Sequence, residues 1–132
     1  MTDTSLIDDR AEALILALVE EGIFQIDECG QIWRMRIKHG DTTKPVLPEP
    51  RRAEYLCKGY LRIRVSTNGV RIRVSAHRVV WRYFNGDIPD GCIIDHKDEV
   101  RHNNRPGNLQ AVTQVVNVRL SIERRKHAQG EV

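Results

Sequence analysis

Asp95 and His96 stand side by side in the last third of a chain of 132 residues. An imidazole changes charge near pH 6.5, which suits a histidine to general-base work. Asp95 and Asn117 offer one anionic and one neutral oxygen, a hard and incomplete ligand set. Mg²⁺ or Mn²⁺ prefers such sites and fills the rest of its octahedron with water and phosphate oxygens. A base beside a hard cation is what phosphodiester hydrolysis needs: a hydroxide-like nucleophile and positive charge on the developing phosphorane. An Asp-His pair alone is usually structural, so the surrounding pattern has to decide.

The elements around the pair must bring these residues together. Cys92-Ile93-Ile94 reads as a short strand that ends at Asp95-His96. Neighbouring strand residues point to opposite faces, so Asp95 and His96 converge only if the strand stops there. A polar loop over Lys97–Asn108 follows, then a second short strand at Leu109–Val112. Thr113 can cap a helix running to about Lys126, with Asn117 about one turn inside it. Upstream, His77–Asn85 reads as a helix, closed by turns at Asn85-Gly86 and Pro89-Asp90-Gly91. Within the loop, Asn103 and Asn104 read as shaping residues, and Asp98 as a loop cap or an outer support of the site. His77 reads either as a satisfied structural histidine or as a group that touches phosphate or orients the site.

Residues 60–76 give the clearest local signal. Leu61-Arg62-Ile63-Arg64-Val65 alternates strictly, Asn68-Gly69 is the preferred two-residue hairpin turn, and Val70-Arg71-Ile72-Arg73-Val74 alternates again. That turn places Arg64 opposite Arg73, Ser66 opposite Arg71 and Arg62 opposite Ser75. Arg62, Arg64, Arg71 and Arg73 then share one face, with Ile63, Val65, Ile72 and Val74 on the other. Like charges across a ladder are destabilising, so something must offset them. The face is either solvated near the acids of the N-terminal helix or a phosphate-contacting ribbon, and the second reading is preferred because a two-stranded ribbon fits a DNA groove.

Charge is segregated along the chain. The net charge is +3, yet residues 1–30 carry −7 and residues 51–82 carry +8. Such a basic block is the footprint of a polyanion binder. Residues 5–21 read as a helix stopped by Gly22, and 22–38 as a short hairpin turning at Asp27–Gly30. His39–Arg51, with Pro45, Pro48 and Pro50, reads as a loop. Leu, Ile, Val and Phe make up 27% of the chain, enough for a packed core. The apolar run Ala13–Val19 is far short of a membrane span, and the acidic start is unlike a secretory signal. Cys29, Cys57 and Cys92 form no C-x-x-C pair, so neither a disulfide framework nor a structural zinc is expected, and the thiols read as buried and reduced.

The segment AHRVVWRYFNGDIPDGCIIDHKDEVRHNNRPGNLQAVTQVVNVR, residues 76–119, resembles the HNH endonucleases, in particular their phage-type homing and nicking branch. It carries the His-Arg-hydrophobic run, F-N-G-x-I-P-x-G, D-H-x-D, N-N-x-x-x-N-L and V-T-x-x-x-N in order. The resemblance implies a ββα-metal finger, two short strands and a helix holding one divalent ion. It makes Asp95 the metal carboxylate, His96 the catalytic histidine, Asn108 the central asparagine that braces the loop, and Asn117 the last residue of an H-N-N variant.

The expected protein is therefore α+β: an N-terminal helix, antiparallel β-hairpins and a C-terminal ββα-metal (His-Me finger) nuclease motif. Residues 1–55 form an N-terminal part; residues 56–132 form the nuclease region, with the Arg-faced hairpin at 60–76 and the finger at 92–126. It is expected to nick or cut DNA with His96 as base and Asn108 as brace. Mg²⁺ or Mn²⁺ would sit on Asp95 and Asn117, and Arg62, Arg64, Arg71, Arg73 and Arg78 would contact DNA. His77, Asp98 and Asn104 form a second tier. The alternative is a non-catalytic DNA-binding protein on a degenerate finger; an interaction module led by the acidic helix comes third. The expected setting is the cytoplasm of a bacterial host or phage-infected cell, with no membrane partner and a second copy of the chain as a candidate partner.

Overall fold

In a computed structural model, residues 4–39, 42–67 and 70–128 are described, with side chains over 10–36, 49–66 and 71–126. Helix α1 (Thr4–Glu20) ends before Gly22, whose φ of +81° favours glycine. Strands β1 (Phe24–Ile26) and β2 (Ile32–His39) form the expected hairpin. Its turn is built by Asp27, whose Oδ1 accepts from the Cys29 and Gln31 amides at 3.0 and 2.9 Å while Oδ2 accepts from Trp33 Nε1 at 2.9 Å.

The expected loop at His39–Arg51 is instead largely strand: β3 (Thr42–Arg52) pairs antiparallel with β2. Proline lacks an amide proton, which forbids it a central strand but not an edge. β3 lies at the edge of the order β1-β2-β3, and its pairing is interrupted by two register shifts. Three prolines are compatible with that position.

A second sheet, β4-β5-β6, comprises β4 (Glu54–Cys57), β5 (Tyr60–Thr67) and β6 (Val70–Ser75). The register between β5 and β6 is the expected one: Arg62 faces Ser75, Arg64 faces Arg73 and Ser66 faces Arg71. The Asn68-Gly69 turn itself lies outside the described residues. β4 was not foreseen, and it brings Tyr55 beside the arginines, with the Arg64 guanidinium 5.1 Å from its ring centre. That cation–π contact, worth about 0.5–1 kcal/mol at an exposed site, helps offset the Arg64–Arg73 repulsion.

Helix α2 (Ala76–Asn85) follows directly, then the two-stranded ladder of β7 (Cys92–His96) and β8 (Leu109–Thr113), and helix α3 (Gln114–Ala128). Thr113 caps α3 as expected, its Oγ1 accepting from the Val116 amide at 3.3 Å. Ile15 and Leu18 of α1, Ile23, Phe24 and Ile32 of the first hairpin, Ile63 and Val74 of the second, Val79 and Val80 of α2, and Ile94 and Leu109 of the finger meet in one buried cluster. Side chains from 1–55 and from 56–132 thus share a core, each large one contributing about 1.5–3 kcal/mol. Glu12 joins them at 1% exposure, bound by Arg78 at 2.5 Å and Arg82 at 2.7 Å. Among the described residues no helix is long and apolar enough to cross a membrane.

Candidate active site

The strand carrying Asp95 and His96 does not stop before them. Both stay in the ladder, Asp95 opposite Gln110 and His96 opposite Leu109. Their side chains alternate: Ile94 and His96 are buried on one face, while Asp95 points toward α3. They border one open cleft of about 930 Å³ because His96 ends the strand. Asn117 lines the same cleft from α3, and Arg62, His77 and Tyr60 line it from the hairpin side.

His96 is 6% exposed, and its Nε2 lies 2.8 Å from Asn104 Oδ1; Asn104 is 4% exposed. With the amide oxygen as acceptor, Nε2 carries the proton and the ring's lone pair falls on Nδ1. The imidazole also packs in a ring cluster, with centroids 5.1 Å from His77 and 6.1 Å from Tyr60. Burial, reinforced by the charges of His96, Arg78 and Arg62, pushes His77 down to about 3. Its Nδ1 is buried with no hydrogen-bond partner among the described residues, so His77 serves this cluster as a neutral ring.

The loop that follows is held by Asn108. Its Oδ1 accepts from the Asp98 amide at 3.0 Å, and its Nδ2 donates to Asp98 Oδ1 and to the Asn103 carbonyl, both at 2.8 Å. Asp98 also accepts from Asn103 Nδ2 at 2.7 Å and from the Val100 amide at 2.9 Å. These bonds, that from Asn103 foremost, hold the Asp98 carboxyl below the usual range. Asn108, Asp98 and Asn103 therefore brace the loop, whereas Asn104 reaches the histidine.

Asp95 is engaged by three donors. Gln110 Nε2 donates to Oδ2 at 2.9 Å, and Arg124 reaches Oδ2 and Oδ1 at 3.0 and 3.1 Å. Burial would raise this carboxyl, but those bonds and the charge of Arg124 outweigh it and hold it low. Asp95 is thus ionised and already attracts a cation. Among the described residues no three His, Cys, Asp or Glu side chains cluster as a metal cage. The donors available, one carboxylate and one amide, fit a hard divalent ion that keeps water and substrate in its remaining positions.

The arginines divide. Arg64, Arg71 and Arg73 are exposed, whereas Arg62 is half-buried along the cleft with its Nε unpartnered among the described residues. Arg78 also borders the cleft but is held by Glu12. The sequence reading missed Glu12, Tyr60 and Arg124. Only Arg124 left a local trace, since Asn117, Ser121 and Arg124 recur at helical spacing along one face of α3.

Residues 74–119 match the model of a family described as HNH endonuclease. DNA endonuclease I-HmuI of Bacillus phage SP01 is 33% identical over 104 residues, which cover 79% of this chain and 54% of that protein. A solved structure concerned with DNA binding and cleavage by the HNH homing endonuclease I-HmuI aligns with a TM-score of 0.55 at 28% identity, over 84% of this chain and 55% of that one. The chain spans about half the length of the relative it matches. HNH nucleases generally use a divalent metal, in keeping with the donor set around Asp95.

Proposed function

The chain belongs to the HNH endonuclease family, and on that premise we propose that it is a divalent-metal-dependent DNA endonuclease with His96 as its general base. The observation that carries this reading is the meeting of His96, Asp95 and Asn117 at one cleft, with the His96 ring held by Asn104. Nδ1 of His96 takes the proton from the attacking water, while Asn104 keeps Nε2 protonated and the ring aimed. Asp95 and Asn117 would hold Mg²⁺ or Mn²⁺, which when bound supplies positive charge to the phosphorane. Asn108, Asp98 and Asn103 fix the loop so that these side chains do not drift. Arg62 reaches phosphate at the cleft; Arg64, Arg71 and Arg73 track the backbone further along the sheet, and Arg78 supports the cleft wall.

One finger holds one base, so a single copy nicks one strand and a double-strand cut takes two copies. The setting we assign is the cytoplasm of a bacterial or phage-infected cell, supported by three free cysteines. Of these Cys29 is exposed and Cys57 and Cys92 are half-buried, rather than buried as expected.

The test is nicking of supercoiled plasmid in Mg²⁺, Mn²⁺ or EDTA, with wild type and His96→Ala. Wild type should nick only with the ion. His96→Ala should lose about 10²–10⁴-fold in rate while still binding DNA. DNA binding by wild type with no cleavage under any condition would favour the non-catalytic binding protein.

A further inference from the structure

Arg124 sits where a nuclease of this kind least needs a positive side chain. Its two terminal nitrogens fork onto both oxygens of Asp95, at 3.1 and 3.0 Å. An ionised carboxylate has about four acceptor positions. Gln110 takes one from the neighbouring strand and, being neutral, can share Asp95 with a cation. The guanidinium cannot share it so easily: it takes two more positions, leaving about one, and repels any second positive charge close by. Yet Arg124 has a second anchor. Its Nε lies 3.3 Å from Glu99 Oε1, and Glu99 is on the loop side of the cleft with about half its side chain exposed. A side chain displaced from Asp95 therefore stays tethered at the cleft, with its fork of donors free. That fork matches the oxygens of a phosphate as well as it matches a carboxylate.

We propose that Arg124 is an internal stand-in cation on Asp95, which yields that carboxylate to the divalent ion and then turns, on its Glu99 tether, to grip a DNA phosphate. The inference rests on the reading of Asp95 as metal ligand. The exchange keeps Asp95 neutralised before the metal arrives, and it makes metal loading and DNA binding favour one another. Such coupling is reciprocal by thermodynamic necessity.

The full-length chain tests this by calorimetric titration with Mn²⁺ alone, for wild type, Arg124→Gln, Arg124→Lys and Asp95→Asn. Removing the competing guanidinium should tighten Mn²⁺ binding by roughly 3- to 30-fold in Arg124→Gln. DNA binding is then followed by fluorescence anisotropy in a His96→Ala background, which prevents cleavage. There Mn²⁺ should steepen the salt dependence by close to one phosphate contact, about −0.9 in slope, and Arg124→Gln should abolish that increment. Arg124→Lys keeps the charge but cannot fork; it should bind Mn²⁺ more tightly than wild type and retain the increment, which covers the case of a poorly folded Gln variant. Unchanged or weaker Mn²⁺ affinity in both variants overturns the proposal, as does an intact increment in Arg124→Gln. Asp95→Asn separates the two readings. If it binds Mn²⁺ like wild type, the metal assignment itself fails. If it loses Mn²⁺ while the Arg124 variants match wild type, only the exchange fails.

Discussion

The imidazole of His96 and the carboxamide of Asn104 form a buried pair, Nε2 to Oδ1, at 2.8 Å. The pair is buried, so this contact sets the ring's tautomer, and with the packed His77 and Tyr60 rings it sets the ring's angle. On the proposed reading, Asn104 is a positioning residue that acts through the histidine.

Asn104→Ala should lower single-turnover nicking by roughly 10–100-fold, the equivalent of about 1–3 kcal/mol for a lost buried hydrogen bond. Asn104→Asp should keep the orientation but place a negative charge beside the ring, moving the acid limb of the rate profile to higher pH. Plasmid cleavage across pH 5–9 reads both. Wild-type profiles in both variants would assign the orientation to His77 and Tyr60 instead.

The exposed arginines make a different prediction, in salt rather than pH. Each phosphate neutralised contributes close to −0.9 to the slope of log affinity against log salt. Replacing Arg64 and Arg73 by Gln should flatten that slope by roughly 1–2 and leave Mn²⁺ binding untouched. Anisotropy titrations at several salt concentrations measure it; an unaltered slope would make this face merely solvated.

Glu12 of α1 enters the core, where it holds Arg78 and Arg82. Glu12→Gln removes the buried carboxylate that both guanidiniums share, while Arg82 keeps its contact with the exposed Asp87 at 3.3 Å; breaking a buried pair costs about 3–5 kcal/mol. Urea unfolding at neutral pH should show a loss of that size. A variant as stable as wild type would mean that the arginines find solvent easily.

His77 should make the fold acid-sensitive. Its proton affinity is depressed from 6.5 to about 3 by burial first and then by His96, Arg78 and Arg62. Between those values the unfolded chain binds a proton that the folded chain does not, so stability is complete above pH 6.5 and declines as pH falls toward 3. From pH 6.5 to 5 the loss should be on the order of 1–2 kcal/mol. It should shrink in His77→Gln, as read by urea melts at the two pH values. An equal loss in the variant would point to another group.

Much of the site could be read in the chain because its signals are local. Alternation on both sides of Asn68-Gly69 leaves one sensible register, and the pairing of Arg64 with Arg73 follows. The loop brace at Asn108, seen in its bonds to Asp98 and Asn103, came with the resemblance, as did the choice of Asp95 and His96 as candidates. What stayed hidden depends on distance or on a local signal that misleads. Glu12 meets arginines 66 and 70 positions away. Arg124 reaches Asp95 across 29 positions, by way of a helix face that shows only a partial stripe. Three prolines disguised β3, because proline marks a loop unless the strand is known to lie at an edge. Asp95 and His96 reach one cleft because the strand ends at His96, as expected; what stayed hidden is that both still pair in the ladder, so alternation sends one toward α3 and the other toward Asn104.

Gly30, in the turn of the β1–β2 hairpin, has a φ of +74°, and a Cβ built there would fall 1.9 Å from the backbone oxygen of Asn104. No side chain fits, so the front hairpin seats its turn directly against the residue that aims His96. The ββα finger is consequently not a portable cassette. Grafted onto another scaffold as residues 74–119 alone, it would keep its motif but lose the abutment under Asn104. A change at Gly30, some 66 positions before His96, would reach the histidine as a misalignment rather than as a lost contact.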